Sequence, residues 1–210
     1  MKRLVLLAVL LCGGPALAQE GGPDPFTGGS AEAGAGKAAA CAACHGPGGN
    51  SVNPEWPKLA GQHASYVYYQ LQVLKSGERK APLMNPQAAP LSDQDMKDLA
   101  AYFAAQKPQP GVASPDAVKT AEKLYRAGDA ARGLPACASC HGPKGNGNAG
   151  AVYPRIGGQH AKYAGNILRI FRGMAGQAIP HPRLVMMSTV AGKLTDAEID
   201  ALASYINGLH

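Results

Sequence analysis

The sequence is short of aromatic side chains, which fill 6% of its 210 positions with a single tryptophan, Trp56, and three phenylalanines. It is rich instead in residues that pack nothing, with 27 glycines and 17 prolines. Small domains with so little apolar material need a staple, a metal or another bound group to hold a core. Long apolar runs are absent too. Leu4 to Leu11 spans about eight residues, and nothing later is apolar enough to cross a bilayer. Cysteine is scarce, and of the five present only Cys12 stands outside two short motifs.

The first residues carry an address. Lys2 and Arg3 precede the apolar run, and the small-residue stretch ends at Ala16-Leu17-Ala18. This predicts a secretory signal over residues 1–18, with cleavage after Ala18. The bulky Leu11 before Cys12 disfavours a lipid-anchored cysteine. The expectation is an exported, periplasmic protein, soluble or loosely membrane-associated, with no nucleic acid as partner. Two of the 20 basic residues lie in the signal, which leaves 18 against 14 acidic ones. Up to Pro110 the mature chain has seven basic and eight acidic residues; beyond it, eleven and six. Such asymmetry can steer a charged partner.

The chain repeats itself. CAACHGPGGN (41–50) returns as CASCHGPKGN (137–146), PKLAGQHASY (57–66) as PRIGGQHAKY (154–163), and LMNPQAAPLSDQDMKDLAAYFA (83–104) as MMSTVAGKLTDAEIDALASYIN (186–207). The order is kept, which indicates a tandem duplication of one module rather than a solenoid of many short repeats. Each module reads as three main helices and loops. The first runs from Ala31 to Ala43 and from Pro115 to Ala127. The second runs from His63 to Lys75 and from His160 to Arg172. The third follows the caps Ser92 and Thr195, with Asp95 and Glu198 three residues on; the Thr195–Glu198 pair fits a capping box. The fold class is all-α. The domains expected are 19–107 and 117–210, with the proline-bearing segment 108–116 as linker.

Each module holds a Cys-x-x-Cys-His pentapeptide, the attachment signal of a c-type haem. Cys41 and Cys44, and Cys137 and Cys140, would bond the vinyl groups. His45 and His141 would face the iron, and the haem would be the apolar mass the composition lacks. A thioredoxin-like motif would need a βαβ frame. A zinc site or disulfides would leave the paired histidines idle.

A sixth ligand is sought among the methionines, because a thioether raises haem potential. Met84 stands seven residues before Leu91, and Met187 seven before Leu194. Both read as loop positions before a cap. Met186 matches Leu83, an apolar packing position, and Met96 matches Ile199 and reads as core. His63 and His160 also match and stand as alternative ligands, or as residues serving the start of the second helix. His181 has no counterpart and reads as exposed. The backbone at Pro57 and Pro154 could accept the imidazole N–H of His45 and His141. Arg79 and Arg183, shortly before the methionines, are candidates to neutralise haem propionates.

On these motifs the sequence resembles the dihaem cytochrome c4 family, two class I cytochrome c domains in one exported chain. The resemblance spans essentially the whole mature sequence. It implies ligation by His45 with Met84 and by His141 with Met187, and contact of the Pro57 and Pro154 carbonyls with the histidines. It also implies modules related by a pseudo-two-fold axis. The function implied is electron carriage rather than enzymic catalysis, because both axial positions are filled. The expected partners are a membrane oxidase or a quinol-oxidising complex. The alternative is a dihaem subunit of a sulfide- or sulfur-oxidising dehydrogenase.

Overall fold

The structure, a computed structural model, describes residues 24–179 and 181–210. The expected signal segment, 1–18, lies outside the described residues. Among the described residues the regular structure is helical, with isolated bridges at Asp129–Leu134 and Asn148–Tyr153 and no strand ladder. The first half supplies α1 (Ala31–Lys37), α2 (Ala39–His45), α3 (Ala64–Lys75), α4 (Asn85–Ala88) and α5 (Asp93–Ala104). The second supplies α6 (Pro115–Ala127), α7 (Ala138–His141), α8 (Ala161–Gly173), α9 (Pro182–Ala191) and α10 (Asp196–Gly208).

The helix expected over Ala31 to Ala43 is two helices that meet at Ala38. Ser30 caps the first, its Oγ accepting from the Ala33 N–H at 3.2 Å. The second runs on to His45 and stops at Gly46, whose φ of 74° favours glycine. A Cβ there would lie 2.4 Å from the Asn50 carbonyl oxygen, so the turn is closed to other residues. In the second half the approach differs. α6 ends at Ala127, and a loop closed by Asp129 and Leu134 intervenes before α7.

In each module the first and last helices pack together, with the second helix against the last. Gly34 makes the crossing of α1 on α5 possible, because a Cβ on it would lie 2.2 Å from the Asp98 carbonyl oxygen. Leu99, Ala100 and Phe103 of α5 bury against Ala38, Ala64 and Val67. The corresponding core joins Ala121, Leu124 and Tyr125 of α6 to Ile199, Leu202, Tyr205 and Ile206 of α10. Cys41 and Cys137 sit at the edges of these two cores. Both third helices begin in a full capping box, Ser92 with Asp95 as well as Thr195 with Glu198. The shorter Asp95 closes its box by accepting from the Ser92 N–H at 2.9 Å.

Asp98 ties the first module together. Its carboxylate accepts from the Ser30 N–H at 2.9 Å, from Gln94 Nε2 at 2.8 Å and from Lys37 Nζ at 2.6 Å. Lys37, then Ser30, hold its carboxyl down at about 2.

The two halves are joined through their repeated Gly-Gln-His. Gln62 Nε2 donates to the Arg155 carbonyl and Gln62 Oε1 accepts from the Arg155 N–H, both at 2.8 Å. Gln159 makes the same pair with Lys58, at 3.0 and 2.9 Å. His63 Nε2 donates to the Asn146 carbonyl and His160 Nε2 to the Ser51 carbonyl, each at 2.7 Å. The relation is that of an approximate two-fold axis. The segment between the modules is itself pinned: Gln109 N donates to Asn50 Oδ1 at 2.9 Å, and Gly111 N to the Asn207 carbonyl at 3.0 Å.

Candidate functional site

Cys41 and Cys44 lie one turn apart on α2, and His45 ends that helix. Cys137 caps α7, with Cys140 and His141 at its end. Both histidines are buried. His45 Nδ1–H donates to the Pro57 carbonyl at 2.9 Å, and His141 Nδ1–H to the Pro154 carbonyl at 3.0 Å. A carbonyl can only accept, so the proton of each neutral ring sits on Nδ1 and the Nε2 lone pair is left for an electrophile. Burial pushes both imidazoles below their ordinary pKa, with the carbonyls acting in the opposite sense. The second site is braced further by Tyr125, fully buried, whose hydroxyl donates to the Gly142 carbonyl at 2.7 Å.

Among the described residues no disulfide joins Cys41, Cys44, Cys137 or Cys140. Burial raises Cys41 and pushes Cys137 up to about 11. Among the described residues no group of three or more His, Cys, Asp or Glu converges on one point, so the cysteine pairs do not combine into one tetrahedral site. Two thiols a helical turn apart, beside an imidazole with its Nε2 unprotonated, are a donor set that fits a haem bound by thioethers and one nitrogen.

One of the two candidate methionines is placed differently from expectation. Met84 is the N-cap of the single-turn α4, and Met187 lies within α9 rather than in a loop. Pro182 opens α9 at its first turn, and the unbroken Leu-Val-Met-Met run continues it. The loop before Met84 is organised by Asn85, whose Nδ2 donates to the Leu74 and Arg79 carbonyls at 2.7 and 2.8 Å. Met84 and Met187 are half-buried, whereas Leu83 and Met186 are 76% and 42% exposed. Neither Leu83 nor Met186 packs into the protein cores, which corrects the reading of those two as packing positions. Met96 is core, as expected.

His63 and His160 each spend Nε2 on a carbonyl of the opposite module, so neither serves its own helix end or offers that nitrogen to a metal. His181 is half-buried rather than exposed, bonded through Nε2 to the Tyr69 hydroxyl at 2.8 Å. Arg79 reaches across the joint, Nη2 donating to the Tyr163 hydroxyl at 3.2 Å, beside Tyr66, whose phenol burial pushes up. Arg79 has no carboxylate partner among the described residues. Arg183 instead stacks over the Tyr69 ring, 5.1 Å from its centroid. Arg155 buries an Nε that has no acceptor. The role of Gln62 and Gln159 escaped sequence reasoning, although their recurrence at matched positions was a signal.

The cytochrome c family model matches residues 31–107 and 118–210. The chain is 47% identical over 191 residues to cytochrome c4 of Azotobacter vinelandii, covering 87% of this chain and 90% of that protein. It is 37% identical over 173 residues to the thiosulfate dehydrogenase electron acceptor of Stutzerimonas stutzeri, covering 80% of this chain and 78% of that one. The crystal structure of reduced recombinant cytochrome c4 from Pseudomonas stutzeri superposes with a TM-score of 0.82 at 46% identity, over 87% of this chain and 100% of that chain.

Proposed function

The chain belongs to the cytochrome c family, in its dihaem cytochrome c4 group, and from that premise we propose that it is a periplasmic carrier that delivers electrons to a membrane oxidase. Two covalently bound c-type haems and electron transport come with that membership. The iron of each haem supplies the one-electron couple.

The protein's part is to hold and orient. Cys41 with Cys44, and Cys137 with Cys140, would be the attachment thiols, and His45 with Met84, and His141 with Met187, would ligate the two irons. Domains of 19–107 and 117–210, joined by 108–116, each carry one such set. The observation that carries this reading is the matched pair of imidazoles, each with Nδ1–H committed to a proline carbonyl. That bond fixes the ring and raises the basicity of Nε2. Arg79, partly buried without an acid of its own, is the residue placed to hold haem carboxylates. With two protein ligands per iron, the protein carries electrons and transforms no substrate.

A second reading has its own support. Resemblance to a thiosulfate dehydrogenase electron acceptor favours a sulfur-oxidising dehydrogenase as the electron donor.

The test is the mature protein's mass, haem content and spectrum, followed by stopped-flow oxidation with oxidase-containing membranes and reduction by a thiosulfate dehydrogenase. Two haems per chain, a weak near-infrared band of ferric His/Met haem, and rapid oxidation support the main reading. A high-spin iron, open to substrate, would sink it. Rapid reduction by the dehydrogenase with no oxidation by membranes would shift the assignment to the second reading.

A further inference from the structure

The segment that fixes each proximal histidine is itself held by the opposite module. The peptide group between Pro57 and Lys58 has its carbonyl on His45 Nδ1–H at 2.9 Å and its N–H, on Lys58, on Gln159 Oε1 at 2.9 Å. The peptide between Pro154 and Arg155 has its carbonyl on His141 Nδ1–H at 3.0 Å and its N–H on Gln62 Oε1 at 2.8 Å. One planar amide thus carries both bonds in each case. Each glutamine is locked in orientation, because its Nε2 donates to the carbonyl of the same Lys58 or Arg155. Its Oε1 also accepts the N–H of the next residue, His160 or His63, at 3.0 Å. A flipped side chain would set N–H against N–H.

We propose that Gln159 and Gln62 are positioning residues for the proximal histidine of the other module, His45 and His141 respectively, acting through that shared peptide group. The inference rests on the assignment of those histidines as iron ligands. Resonance couples the two ends of an amide, so a bond accepted from its N–H makes its carbonyl a better acceptor. The stronger acceptor draws the Nδ1 proton and makes Nε2 more basic. A more basic nitrogen favours the ferric iron. Each haem's equilibrium is then tuned by a side chain from the opposite module, which links the two centres without direct contact between them.

The test is crosswise. Gln159→Met keeps length and loses the acceptor. The haem on Cys41 and Cys44 should become easier to reduce, by about twofold in equilibrium constant or ~18 mV for one electron, while the haem on Cys137 and Cys140 stays put. Gln62→Met should give the mirror pattern. Gln159→Glu keeps an acceptor and adds charge, and should move the first haem the other way. The centres are followed separately through their ferric haem methyl proton signals. Equal movement of both haems, movement of the haem in the mutated module, or no movement would overturn the proposal. A wild type without two histidine-ligated haems would overturn the ligand assignment as well. A wild type with both haems and no crosswise pattern defeats this inference alone.

Discussion

Gln62 and Arg155 stand 93 positions apart and exchange two hydrogen bonds of 2.8 Å, one from each partner. Gln159 and Lys58 repeat the exchange. Both exchanges land on the residue directly after the proline whose carbonyl accepts from His45 or His141. The joint between modules and the supports of the two sites are therefore one structure, and a change in either reaches the other through a single peptide group.

Met84→Ala and Met187→Ala should each remove one thioether. The near-infrared band of the ferric protein should fall to about half in each variant, and the affected haem should become harder to reduce, since thioether ligation raises potential. An unchanged band in Met187→Ala, together with its loss in Met186→Ala, would reassign the second ligand.

His63→Ala and His160→Ala should loosen the joint without touching the iron. Each deletes one hydrogen bond to a carbonyl of the other module, about 1 kcal/mol. Hydrogen exchange at the Lys58 and Arg155 amides should speed up, and the low-spin spectrum should persist. A change of iron spin state in either variant would restore histidine as a sixth ligand.

Gly34→Ala should destabilise the first module by about 1–3 kcal/mol, because the new methyl overlaps the Asp98 carbonyl and the helices must part. Gly36→Ala is the internal control. Nothing lies within 4 Å of its Cβ position, and alanine there should stabilise by about 0.5–1 kcal/mol. Thermal melting of the two variants side by side separates crowding from backbone propensity.

Asp98 predicts the shape of the acid limb. Its carboxyl is held at about 2 in the folded protein, against an ordinary 3.8. The folded value is depressed, so the unfolded chain binds the proton first. The stabilisation is present above the ordinary value and is lost as pH falls through 3.8 toward 2. Asp98→Asn should lower the melting temperature at neutral pH and flatten its fall over that window. An acid limb identical to wild type would show that the Lys37–Asp98 pair carries none of it.

The sequence alone determined much of the function. Two Cys-x-x-Cys-His pentapeptides in a duplicated chain name the chemistry, because covalent attachment and a proximal ligand need those residue types at that spacing. Helical periodicity and the caps at Ser92 and Thr195 placed the long helices, since both signals are local. Register within the repeat picked Met84 and Met187, although it put Met187 in a loop where the structure has a helix. Whether Met187 belongs to a helix depended on Pro182 and a short apolar run that local pattern reads either way. The reciprocal grip of Gln62 on Arg155, the reach of His63 and His160 into the other half, and the contact of His181 with Tyr69 were decided by tertiary structure. Each joins side chains to groups roughly a hundred residues away, and no local signal specifies such a partner. Only the packing of two whole modules, one turned against the other, brings an amide side chain to the peptide that supports its neighbour's histidine.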